Sequence, residues 1–335
     1  MTSPLNRLAL TLVGGLAFAS IAGGAESYGV FKSSDLGRTW SRSDAGLPLD
    51  SRVNAFGTSG QALFAGTDSG IFVSRDEARS WQPVNVKAMS SRRILCFADF
   101  GTKVFAGIDG AGIWMSINEG NTWVRCDTFP SKKVRSLIAH NEEVFAGTDA
   151  EGVFASSDGG ETWRSLSREF PDHAQVFALA IAKDTLFAGL YSKGLYAWTE
   201  RQQRWEKTGH VSPLVLTAID GTLIAGHNPG GLYWSSDMGV SWSKGISAMP
   251  DDPGELASEA PVWELASNEE VVVTGASDGI YYSADRGRSW TRSRTGLPNK
   301  TPGISFLTSQ SYILAGTPLV RIEGEHDAAD QPPAR

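Results

Sequence analysis

Cysteine is almost absent from this chain of 335 residues. Cys96 and Cys126 stand alone, in neither a Cys-x-x-Cys nor a Cys/His spacing, which excludes a disulfide framework and a cysteine-based metal motif. Positive charge is in deficit too: 30 Lys and Arg against 37 Asp and Glu give a formal charge of -7, the wrong sign for coating a phosphate backbone, so no nucleic acid partner is expected. Nucleotide and hydrolase signatures are missing, with no Gly-Lys-Ser/Thr loop, no Gly-x-Ser-x-Gly elbow and no His-Glu-x-x-His. His140, His173, His210, His227 and His326 are scattered singly, and neither a cofactor nor a metal is expected. The uncharged stretch at residues 8–22 is too short to span a bilayer. With Arg7 ahead of it and Ala17, Ala19, Gly23 and Ala25 in or after it, it reads as a secretory signal cut near Ala19 or Ala25. A second reading takes residues 16–20 as a worn copy of a strand that recurs later in the chain.

What the sequence has is glycine, tryptophan and repetition. Hydrophobic residues make up 41% of the chain, enough for a core, while 37 Gly point to many tight turns between short strands, hence an all-β protein. Trp40, Trp81, Trp123, Trp163, Trp205, Trp242 and Trp290 recur at 37 to 48 residues. A second marker, hydrophobic-Ala-Gly or a close variant, keeps the same period and ends at Gly66, Gly107, Gly147, Gly189, Gly226, Gly275 and Gly316. Residues 52–84 divide into four short strands, A to D. Four-strand units repeated at this period predict a β-propeller, and glycines interrupt every window that a helical repeat would need. Residues 29–42 supply strands C and D, and residues 303–317 supply A and B. The prediction is therefore a seven-bladed β-propeller of four-stranded antiparallel blades, its closing blade shared by the N- and C-terminal strands, which hides the edges an open ring would expose. The expected divisions are a signal peptide at 1–25, the propeller at 26–322 and a flexible tail at 323–335. Cys96 and Cys126 fall on the innermost and outermost strands of one blade, roughly 14 Å apart at three strand spacings, too far for a disulfide.

Each recurring Trp closes an octapeptide. The fullest copies, at residues 33–40, 156–163, 235–242 and 283–290, read Ser-x-Asp-x-Gly-x-Thr/Ser-Trp. Asp accepts hydrogen bonds from its own turn, Gly takes a positive φ, the hydroxyls satisfy remaining polar groups, and Trp fills the space between blades. Asp35, Asp76, Asn118, Asp158, Asp237 and Asp285 hold the acid position, with Ala78 replacing Gly in the second copy and little beyond Trp205 surviving in the fifth. The pattern resembles the Asp-box, or BNR repeat, of sialidases, xyloglucan-active glycoside hydrolases, sortilin-type receptors and photosystem II assembly factor-like propellers. The resemblance covers residues 29–317 and implies fold far more than function.

A sialidase-like or xyloglucanase-like hydrolase, which the resemblance raises, finds little support in the residues. The Arg-Ile-Pro motif that precedes the first sialidase box is missing. Of the tyrosines that such an enzyme uses as nucleophile, only Tyr28 and Tyr191 are expected in loops, and Tyr196, Tyr233, Tyr281, Tyr282 and Tyr312 in strands. The one long connection, residues 246–261, carries Asp251, Asp252, Glu255 and Glu259. No catalytic residue is assigned.

Alignment on the Ala-Gly marker places Arg52, Arg93 and Lys133 at one position in three consecutive blades, fourteen residues before Gly66, Gly107 and Gly147. With Arg92, Lys132 and Arg135 nearby they predict a basic arc at one mouth of the channel, opposite Gln175, Ser212, Pro261 and Pro302, suited to an anionic ligand. The loops between strands B and C on that face carry Asp68, Asp109, Asp149, Tyr191, Asn228 and Asp278. These form Asx turns, lower the charge of the arc, or, with Tyr233 and Trp234, recognise sugar. The functional expectation is an exported, monomeric, non-catalytic scaffold for a protein or carbohydrate partner; a photosystem assembly factor-like role is a further option within the binding class.

Overall fold

The computed structural model describes residues 10–13, 16–19, 26–48, 50–227, 230–247, 261–276, 279–298 and 301–321. Seven sheets, each built on four antiparallel strands, form a seven-bladed β-propeller, and one of them carries an added fifth strand. Blades 1 to 6 begin with innermost strands Val53–Ser59, Ile94–Phe100, Val134–His140, Val176–Ala182, Pro213–Ile219 and Val262–Ser267. Blade 7 takes A and B from Ser305–Thr308 and Ile313–Arg321, and C and D from Glu26–Ser33 and Ser41–Arg42. Val30 pairs with Gly316 and Ser33 with Ile313, so the ring closes by hydrogen bonds between distant parts of the chain.

The extra strand is Ile246–Ser247, which pairs parallel to Ser289–Arg292 on the outer edge of blade 6; the sequence reading had only a long connection there. Its acidic residues, like the C-terminal tail, lie outside the described residues. Leu10–Val13 and Leu16–Ala19 form a two-stranded hairpin of their own and join no blade. Tyr28, expected in a loop, lies within a strand of blade 7, because the pairing of Glu26–Ser33 with the C-terminal strand runs beyond Gly29 as far as Glu26. Tyr312, expected in a strand, sits just ahead of Ile313–Arg321. Both cysteines are free, with Cys96 in strand A of blade 2 and Cys126 just after strand D.

The core is distributed in seven wedges, one between each pair of neighbouring blades, and each wedge receives one repeat tryptophan. Trp123 of blade 2, for example, packs with Phe64 and Ala62 of blade 1. The marker glycines explain how closely blades approach. A Cβ on Gly66 would stand 2.7 Å from Ile94 Cγ2, and one on Gly147 the same distance from Val176 Cγ1, so the next blade's first strand occupies the space of a side chain.

The octapeptide turns share one hydrogen-bond plan. In the first, Ser33 Oγ donates to Asp35 at 2.8 Å and accepts from Gly37 N–H at 2.9 Å. Asp35 accepts from Thr39 N–H at 2.8 Å and Thr39 Oγ1 at 2.6 Å, and the Trp40 indole donates to Gly37 O at 3.1 Å. The same plan holds at Asp76, Asp158, Asp237 and Asp285, although the indoles of Trp81 and Trp163 depart from it. Asn118 keeps it as an amide, accepting from Thr122 N–H and donating to Thr122 Oγ1, both at 2.9 Å. In the fifth copy a single 3-10 turn, Glu200–Gln202, replaces the box, and Trp205 gives its indole hydrogen to Leu166 O of the preceding blade at 2.7 Å.

Candidate functional site

The face carrying the D–A and B–C loops is built by one backbone contact repeated in four blades. The B–C residue donates its N–H to the carbonyl of the residue before strand A: Asp68 to Arg52, Asp109 to Arg93, Asp149 to Lys133 and Tyr191 to Gln175. In blade 5 the His227 ring takes over, accepting Ser212 N–H on Nδ1 at 3.1 Å. The register equivalence read from the glycine markers is therefore physical. Asn228 and Asp278 lie outside the described residues.

The basic residues form two ion-paired clusters rather than a free arc. Arg52, its side chain only 3% exposed, donates to Asn54 Oδ1 at 2.7 Å and lies 3.5 Å from Asp68; Arg93 reaches the same carboxylate at 3.5 Å, and Asn54 donates to it at 2.9 Å. In the second cluster Lys133 lies 3.4 Å from Asp149, which Arg135 also engages through its guanidinium. Among the described residues these four cations share two carboxylates, and Arg93 and Lys133 are the partly exposed members. Arg135 also lies 4.3 Å over the Phe177 ring, and Phe177 stacks on Tyr191 with centroids 5.2 Å apart. Tyr191, 39% exposed, is the outer rung of this ladder. Tyr233 instead packs edge-on against His227, and Trp234 lies under Arg288, so these aromatics have different neighbours from Tyr191.

Phe177 and Asn54 were missed by sequence reasoning, and so was the central cavity. Every strand A of blades 1 to 6 carries a bulge after its first residue, and the bulged positions are Asn54, Leu95, Arg135, Phe177, Leu214 and Trp263. A bulge re-aims side chains toward the channel, which brings Arg135 and Phe177 together at its rim. Both also line a central cavity of about 200 Å³, together with Phe97, Leu137, Leu179, Leu216, Phe306 and Glu264, among others. Burial pushes the Glu264 carboxyl up to about 7, and the same burial, with the nearby Glu264 charge, raises the Cys96 thiol far above its ordinary value. No group of three metal-ligating side chains occurs among the described residues, and no helix among them is long and apolar enough to cross a membrane.

The fold and this face define a seven-bladed propeller with a polar, aromatic-edged channel mouth. Among solved structures, the chain is similar to YCF48 from Cyanidioschyzon merolae, at 13% identity and a TM-score of 0.63, covering 82% of this chain and 95% of that one. A structure of YCF48 bound to D1 peptide matches at 16% identity and 0.62, covering 81% and 95%. The GH74 xyloglucanase from Xanthomonas campestris matches at 15% and 0.63, covering 93% of this chain and 59% of that enzyme. No protein-family profile and no curated relative matches. At these identities the likeness is one of fold.

Proposed function

We propose that this chain is a non-catalytic binding scaffold that takes a segment of a protein partner on the face formed by the D–A and B–C loops. The observation that carries the reading is the Arg135–Phe177–Tyr191 ladder beside two clusters in which four cations share two carboxylates. An aromatic edge with a cationic border suits an extended peptide bearing carboxylates, which gains ring contacts and charge-assisted hydrogen bonds together. That YCF48, a propeller of similar fold, has been seen with a D1 peptide supports the peptide reading over a glycan. The glycosidase alternative needs two carboxyl groups flanking a sugar, and Glu264 is the one carboxylate among the described residues lining the central cavity. The Asp-box reading of the octapeptides is part of the proposal, with a structural role for its carboxylates. Export, directed by residues 1–25, is proposed from the N-terminal pattern alone.

The test is cross-linked pull-down from the native host with the full chain and an Arg93→Glu/Lys133→Glu variant, both positions being partly exposed. Loss of the captured protein with an unchanged melting temperature is the expected result; capture that survives both charge reversals would overturn the assignment of this face. Turnover of chromogenic glycosides that disappears in Glu264→Gln would sink the scaffold reading. N-terminal sequencing of exported protein checks the processing site.

A further inference from the structure

Aligned eleven residues before each marker glycine, the seven blades place Ala55, Cys96, Ser136, Ala178, Val215, Glu264 and Ser305 at one level of the channel. Each of the seven is cross-strand partner to its marker glycine. Six are small or medium-sized, because the side chain folds back over a glycine: Ser136 Oγ and Cys96 Sγ both crowd the space above Gly147 and Gly107. Glu264 breaks the rule. The space over its marker, Gly275, is filled by the Gly303 backbone, and although all seven residues line the central cavity, Glu264 alone brings a carboxylate to it, half-buried, with one hydrogen bond accepted from Leu265 N–H at 3.2 Å. Its backbone is fixed by Thr274 Oγ1, which donates to Glu264 O at 2.8 Å.

We propose that Glu264 makes the waist of the channel a receptor for a small primary alkylammonium group, with the carboxylate binding the charge and the apolar wall taking the alkyl chain. The ion pairs of the described residues give Glu264 no cation, and Arg135, the cationic side chain in the same cavity lining, is held by Asp149. A carboxylate that is desolvated without a counter-ion gains from an incoming cation that can also replace its lost hydrogen bonds. The wall decides the rest of the ligand. Phe97, Leu137, Leu179, Leu216 and Phe306 offer apolar surface, which favours an alkyl chain over a bare metal ion, and calcium would require six or more oxygens where one carboxylate is present. At about 200 Å³ the cavity is below the roughly 300–1,000 Å³ of sites for drug-sized molecules, so the ligand is small. The cavity shares Arg135 and Phe177 with the loop-face proposal, but the two are tested apart, because the charge-reversal sites Arg93 and Lys133 do not line it and Glu264 does.

The experiment titrates n-butylammonium, and 1-butanol as its neutral counterpart, into the full chain by calorimetry at pH 8.5 and pH 5.5. Glu264→Gln keeps the shape and removes the charge; Glu264→Ser installs the residue already present at this level in blades 3 and 7, which guards against misfolding. Saturable binding of the amine to the native chain at pH 8.5, weakened roughly tenfold or more in both variants and at pH 5.5, is expected. The acid condition does not act through Cys96, whose thiol burial holds far above its ordinary value, and Arg135 is paired with Asp149. A lysine-bearing tripeptide run alongside distinguishes a partner's side chain from a free amine, and tighter binding of either supports the site. No saturable amine binding, equal binding by Glu264→Ser, or equal binding of butanol would overturn it.

Discussion

Trp123 and Trp163 offer a paired measurement of what the octapeptide's indole hydrogen bond contributes. Both fill wedges in adjacent gaps and both meet a phenylalanine edge-on, Phe64 at 5.8 Å and Phe105 at 6.5 Å. Trp123, 7% exposed, donates its indole N–H to Gly120 O at 3.1 Å, whereas the buried indole nitrogen of Trp163 has no acceptor among the described residues. Replacing each by Phe removes a similar volume, and that shared loss largely cancels in the comparison. At 123 the variant also loses a net bond of about 1 kcal/mol and leaves a carbonyl in a buried turn without its donor. At 163 it removes a donor whose unsatisfied burial itself costs about 1–3 kcal/mol. Trp123→Phe is therefore expected to be less stable than Trp163→Phe by about 2–4 kcal/mol. At a urea slope of about 3 kcal/mol/M, this separates the midpoints by about one molar. Equal midpoints, or the reverse order, would refute the idea that the turn's hydrogen bond and not indole bulk alone holds the blade edge.

Two further outcomes follow from the repeats. Asp76 is held down to about 2, first by the Ser80 hydroxyl and then by the Ser80 amide. Since its unfolded value is about 3.9, the stability it contributes is fully present above about pH 4 and is lost as pH falls toward 2. Asp76→Asn, which copies the arrangement at Asn118, should be little changed at pH 7 and should flatten the decline of the urea midpoint between pH 4 and pH 2; an undiminished decline would contradict the assignment. Gly66→Val, whose Cβ meets Ile94 Cγ2 at 2.7 Å, should cost roughly 1–3 kcal/mol or more by overpacking. Gly101→Ala faces open space and should cost only about 1 kcal/mol for its positive φ, so comparable losses in thermal melts would argue against close blade contact at the marker.

The repeat determined most of this molecule before any coordinates. Two markers at a common period fix seven units, the strand content of one unit fixes the blade, and the unmatched halves at the two ends fix how the ring closes, because local turn chemistry and inter-blade packing are written in adjacent residues. Asp35, Thr39 and Trp40 lie within six residues of one another and satisfy each other there. The tertiary structure decided what depends on distance in space. Asp68 and Asp149 neutralise part of the basic arc because loops fourteen or more residues away fold over it, and Phe177 joins Arg135 because neighbouring blades meet at the rim. Glu264 passed unremarked in the sequence, where it is one acidic residue among many; only the ring makes it a half-buried carboxylate lining a central cavity.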